Sequence, residues 1–231
     1  MDNLMMLAGA IGFTPALILL FFTLKDYTYP AVEKPYFDDR KVFIMLSFGM
    51  IAGSIFFLVE SVFGSASVLY LVLVVLLEEM LKFIVFNSRK YSGRVDTTFY
   101  AFSFGLGAGA IITFGNIYLA LSSAVASGTF TLGGVLLFTV YGFMIAFLWG
   151  STSAIIGLGA LKKEPVHYTL LAIMIHLFYS IVLVPFYLNI EPWTYLSFAV
   201  VWFFMLYVFR QTYAFIIPST IPPEARPDSK K

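Results

Sequence analysis

The sequence predicts an all-α, polytopic integral membrane protein of about seven transmembrane helices, with its N-terminus outside and its C-terminus in the cytoplasm. Three observations carry this expectation. The 231 residues are 60% hydrophobic and 12% charged, a balance that leaves too little polar surface for a soluble domain. Apolar stretches of roughly 20 residues, the length a helix needs to cross the hydrocarbon, recur about seven times. The basic residues fall in alternate connections between these stretches.

The first span covers 4–24. It follows Asp2 and has its basic flank, Lys25, at the far end, the reverse of a cleavable secretory signal, so it is expected to remain as a helix. The connection from Lys25 to Lys41 mixes acids and bases with Pro30 and Pro35 and is expected to be irregular and solvated. The second span, 42–63, has Glu60 near its outer end, where it reads as an interfacial acid. Spans at 67–88, 97–122, 133–160, 166–187 and 193–216 follow, joined by connections too short to let halves act independently. Residues 1–217 are read as one seven-helix membrane domain, and 218–231, rich in Pro, Ser and charge, as a disordered cytoplasmic tail.

Lys25, Lys34, Arg40 and Lys41 fill the first connection; Lys82, Arg89, Lys90 and Arg94 surround the third. Lys162 and Lys163 mark the fifth, and Arg210, Arg226, Lys230 and Lys231 belong to the last helix end and the tail. The N-terminus and the second, fourth and sixth connections have no basic side chain, which sets the orientation and suggests a multi-pass protein of the plasma membrane. A net charge of +1 argues against nucleic acid as a partner, and the absence of cysteine removes disulfides and thiolate metal ligands.

Chemistry at membrane depth must come from the few ionisable groups there, because each costs about 2.5–3.5 kcal/mol to bury on insertion scales. The third span contains Glu78, Glu79 and Lys82, and the sixth contains His176. Counting about 1.5 Å per residue along both helices puts Glu79 and His176 near the same depth, facing each other across the bundle. Glu78 and Lys82 are four apart in the favourable order, so an intrahelical ion pair accounts for both. Glu79 points roughly 100° away and needs a partner from another helix, for which His176 is the candidate. A lone intramembrane His is more often a hydrogen-bonding group between helices than a metal ligand.

In the fourth span Ala101, Gly105 and Gly109 recur every four residues, with Gly107 and Ala108 beside them. That ridge of minimal bulk invites close helix approach. Packing within the same bundle is the ordinary use of such a pattern; docking of a second protein, or a homo-oligomer, is the other.

The stretch Ala101 to Gly109 followed by Asn116 and Ile117 resembles helix four of the anterior-pharynx-defective scaffold subunit of γ-secretase, including its glycine spacing. Gly12 to Leu17 is similar to that family's first helix, and Leu76 to Phe83 to its third, with Glu78 where the family usually has Gln. Phe147 to Gly150 and Ile175 to Leu177 resemble its fifth and sixth. The resemblance runs over nearly the whole chain and implies a non-catalytic scaffold that binds and stabilises a presenilin-like intramembrane aspartyl protease among membrane lipids. It further implies a cavity open to the membrane, with Gly105 and Gly109 setting close helix contact and Glu78, Glu79, Lys82, Asn116 and His176 as binding residues.

The same residues also resemble the PrsW branch of intramembrane proteases, related to the CAAX-processing enzymes, whose signature matches Glu78, Glu79 and Lys82. That family has a Glu before the Asn of helix four, where this chain has Gly115, and a His on helix five, where Ala146 stands; Ser180 follows His176 by four. Under this alternative the chain is an intramembrane glutamate or metallo-endopeptidase with Glu79 and His176 catalytic. A hydrolytic zinc site needs about three protein ligands, an open position and a base, and using Glu78, Glu79 and His176 all as ligands leaves no base. A metal-free route has Glu79 activate water while His176 and Asn116 stabilise the oxyanion. These departures favour the scaffold, with no cofactor and no proteolytic activity of its own. There is no Asp pair within the spans for aspartyl chemistry and no Lys in the last span for a Schiff base.

Overall fold

In a computed structural model of the protein, residues 2–63 and 68–221 are described. Arg226, Lys230 and Lys231, most of the expected tail and the connection at 64–67 lie outside the described residues. Every regular element within them is helical. The long helices are α1 (Asp2–Leu24), α2 (Asp39–Phe63), α3 (Val68–Phe86), α4 (Thr97–Ala126), α5 (Leu132–Lys162) and α6 (Pro165–Val182). A short α7 (Val184–Tyr187) leads to α8 (Trp193–Gln211), which runs on through a π-turn at Thr212–Ile216 and a 3-10 turn at Pro218–Thr220.

Six of these helical stretches are long and apolar enough to cross a membrane, the makeup of a polytopic helical membrane protein. The exception is α3. It has 19 residues, but Glu78, Glu79 and Lys82 interrupt its apolar run. Its lipid-compatible side, with Leu69, Leu73, Leu77 and Ile84 exposed, lies opposite these groups, so the helix is strongly two-faced.

The hub is α4, which packs against α1, α2 and α5; from Thr97 to Ala110 every residue is buried, as expected of a helix that is apolar all round. Its glycine ridge is filled from within the chain. A Cβ on Gly109 would come within 3.1 Å of the Trp149 Cβ and 3.3 Å of the Ile145 carbonyl, and one on Gly105 would overlap the Trp149 carbonyl oxygen, so the ridge seats α5. On its other side Gly107 meets the Leu46 carbonyl while Gly49 and Gly53 of α2 meet the carbonyls of Phe104 and Ala108, a second close crossing. Ser103 fastens that crossing by donating a 2.6 Å hydrogen bond to the Val42 carbonyl.

The connection from Lys25 to Lys41 is for the most part irregular and exposed, as expected, but it is anchored to the bundle at two points. It begins with a 3-10 turn, Lys25–Tyr27, and Tyr27 and Phe37 are buried against Phe99, with ring centroids 5.3 and 5.0 Å apart. The Tyr36 amide donates to the Tyr27 carbonyl and the Asp38 amide to the Tyr100 hydroxyl. The two buried rings tie the loop to α4 while most of its charged side chains stay exposed. At the other end, residues 218–221 are not yet tail: Ile221 is buried in the core.

Two tight links set the depth of the helices that build the site. Between α5 and α6, Lys163 adopts the left-handed conformation (φ 62°), the Glu164 amide returns to the Gly159 carbonyl, and Pro165 opens α6. Thr152 and His176 consequently stand level on antiparallel neighbours. Between α3 and α4, Gly93 takes φ 77° and its amide donates to the Ala160 carbonyl, while Arg94 grips Asp96 through two hydrogen bonds of 3.0 and 2.7 Å.

Candidate functional site: a buried ion network beside a cavity

Glu79 and Lys82 are fully buried, and Glu78 is 2% exposed. The Lys82 ammonium donates to Glu79 Oε1 at 2.7 Å and to Thr152 Oγ1 at 2.8 Å, and lies 3.9 Å from the centre of a Trp149 ring. Carboxylate, hydroxyl and aromatic face thus replace water around the charge.

The expected Glu78–Lys82 pair does not form; Lys82 pairs with Glu79 instead. Positions three and four apart are both neighbours on a helix, so spacing alone does not choose between them. Tertiary context does. Glu79 turns toward α5 and α6, where Thr152 and Trp149 complete the ammonium's shell, whereas Glu78 turns toward a cavity.

His176 meets Glu79 across the bundle, its Nδ1 standing 2.7 Å from the same Oε1 that receives Lys82. Nε2 lies 3.4 Å from Glu78 Oε2. With Nδ1–H donated to Glu79, either the imidazole also carries a proton on Nε2 or the Glu78 carboxyl is the one protonated, since two bare lone pairs would repel. Trp149 closes the arrangement, its ring 6.0 Å from the imidazole.

The cavity has a volume of about 550 Å³ and fills the gap where α3 stands away from α4. Glu78, Asn116 and His176 line it; Glu79 and Lys82 do not. Ser180, four residues after His176, lines it as well. Asn116 is set beside the Tyr141 hydroxyl, which meets the Tyr187 hydroxyl at 3.1 Å. Gly105 and Gly109 lie behind the wall, letting α5 come close enough to place Trp149 and Thr152.

Three participants were missed in the sequence. Glu60, read only as an interfacial acid near the end of α2, also lines the cavity, and its carboxyl stands beside that of Glu78. Thr152 was signalled by the Ser151-Thr152-Ser153 run at mid-span, three hydroxyls where an apolar helix has no need of them. The third participant, Trp149, reads as core until Lys82 is seen on its face.

The donor set does not fit zinc. The Lys82 ammonium already occupies the oxygen of Glu79 that a metal would share with His176, and among the described residues no group of three or more His, Asp or Glu side chains is placed to ligate an ion. No family model matches the chain, and the search of curated proteins and that of solved structures each found no match.

Proposed function

We propose that this protein is a non-catalytic membrane scaffold of the kind its sequence resembles, binding and stabilising a presenilin-like intramembrane aspartyl protease. The observation that carries the reading is the sealing of Glu79. Its Oε1 accepts from both Lys82 and His176, it has no exposed surface, and it is absent from the cavity wall, so the carboxylate required to activate water is spent on holding α3, α5 and α6 together. The network acts as a bracket that keeps the cavity open beside it.

The test is affinity capture of the tagged protein from cells that also express an archaeal presenilin-like protease. Recovery of the protease in a near-equal ratio, with no cleavage of a membrane-embedded peptide by the chain alone, is the expected result. Cleavage by the chain alone that is lost in both Glu79→Gln and His176→Ala would replace the scaffold with the glutamate-protease alternative.

On this reading seven helices cross the plasma membrane, α3 included, with the N-terminus outside and the C-terminus in the cytoplasm. The basic residues at the exposed α3–α4 and α5–α6 links support this orientation. Because the chain has no cysteine, single cysteines at the exposed positions Lys90 and Ser127 report directly. A membrane-impermeant maleimide added to intact cells is expected to label Ser127→Cys and to spare Lys90→Cys. The opposite pattern inverts the topology.

A further inference from the structure

Three carboxyls gather on the inner side of α3, those of Glu60, Glu78 and Glu79, near a single ammonium. Lys82 is committed to Glu79, and His176 has already given Nδ1 to the same oxygen. Glu78 and Glu60 are therefore left side by side on the cavity wall with no Lys or Arg of their own, and share only the Nε2 edge of His176, 3.4 Å from Glu78 Oε2. Glu78 is nine-tenths buried and more, and its Oε1 has no hydrogen-bond partner. An acceptor so placed, facing open volume, is short of a donor.

Much of the remaining lining is aromatic. Tyr141, Tyr179 and Tyr187 line the cavity from α5, α6 and α7, alongside the apolar Phe138 and Ile145. Carboxyl groups with tyrosine rings and hydrocarbon around them supply the recognition chemistry of an organic ammonium: the charge pairs with the acids, the rings and their hydroxyls surround the cation, and the apolar body fills the rest. A small inorganic cation would use the carboxylates but leave the apolar walls empty.

From this arrangement we infer that the cavity between α3 and α4 binds an ammonium group carried on an apolar body, with Glu78 and Glu60 as its counter-charges. The exposed Leu119 at the rim gives a lateral way in from the hydrocarbon. The inference rests on the cavity alone and holds whether or not the scaffold reading does.

The probe is phenethylamine, with 2-phenylethanol as its uncharged isostere, titrated into the full chain held in phosphatidylglycerol nanodiscs. Trp193→Phe and Trp202→Phe leave Trp149, on the cavity wall, as the only reporter. Saturable quenching by the amine, with affinity about tenfold or more above that of the alcohol, is expected, and Glu78→Gln should remove most of that preference. Glu60→Gln, at a half-buried position that leaves the Glu79 bracket intact, should weaken the amine selectively as well. Equal affinity for amine and alcohol, or an amine affinity unchanged in both Gln variants, would overturn the inference. Repeating the titration with phosphatidylethanolamine in the disc assigns the source: competition identifies a lipid headgroup as the occupant, and undiminished affinity identifies a free amine.

Discussion

Replacing Glu79 with leucine is expected to lower stability by about 3–5 kcal/mol, since it leaves the Lys82 ammonium without water and without a counter-ion. Thr152 and the Trp149 face remain, but neither carries the charge that offsets desolvation. Lys82→Met should cost less, because Glu79 keeps His176. The double variant should recover much of the loss, as a buried pair replaced by hydrocarbon of similar size is often close to neutral. Equilibrium unfolding in mixed micelles of the four proteins closes the cycle. Additive losses in the double variant would mean that the two charges are not coupled and that the bracket is a drawing rather than an interaction.

Gly105→Ala is expected to be about as damaging, at roughly 3 kcal/mol or failure to fold, which is the upper part of the range for overpacking a well-filled interior. The new methyl would overlap the Trp149 carbonyl oxygen, a backbone atom that has no rotamer to escape into. Gly49→Ala meets the Phe104 carbonyl in the same way. Gly9→Ala in α1 is the control: nothing lies within 4 Å of its added Cβ, and the helix gains about 0.5–1 kcal/mol of propensity. The same chemical change should therefore have opposite signs at these positions, read as folded yield and unfolding midpoint. A Gly105→Ala protein as stable as wild type would show that α4 and α5 do not cross where the structure puts them.

Helix positions were legible in the sequence because a membrane-crossing helix needs about 20 apolar residues; the depth match of Glu79 and His176 followed from the regular rise of the helix. What misled was anything set by rotation or by neighbours rather than by length. Spacing made Glu78 the partner of Lys82, whereas Thr152 and Trp149 on another helix drew the ammonium toward Glu79. Glu60 does stand near the end of α2, but a sequence shows how near an acid is to a helix end and not that it lines a cavity. The ridge of α4 was visible, yet its counterparts Gly49 and Gly53 on α2 share its four-residue spacing and went unread. The connection after α1 is irregular and exposed as its charges and prolines imply, whereas its anchors on Phe99, Tyr27 and Phe37, depend on a neighbour that composition does not show.

The notches in the first two helices bear on how the molecule is made. Gly12, Gly49 and Gly53 each face backbone of α4, between Phe104 and Phe114, and the aromatic clasp of Tyr27 and Phe37 closes on Phe99 of the same helix. The template for α1 and α2 thus leaves the ribosome after both of them, with α3 in between. A nascent chain that ends after α3 has two inserted helices whose recesses have no occupant. The packing of the N-terminal half is therefore complete only when α4, the helix that both α1 and α2 are cut to fit, is present.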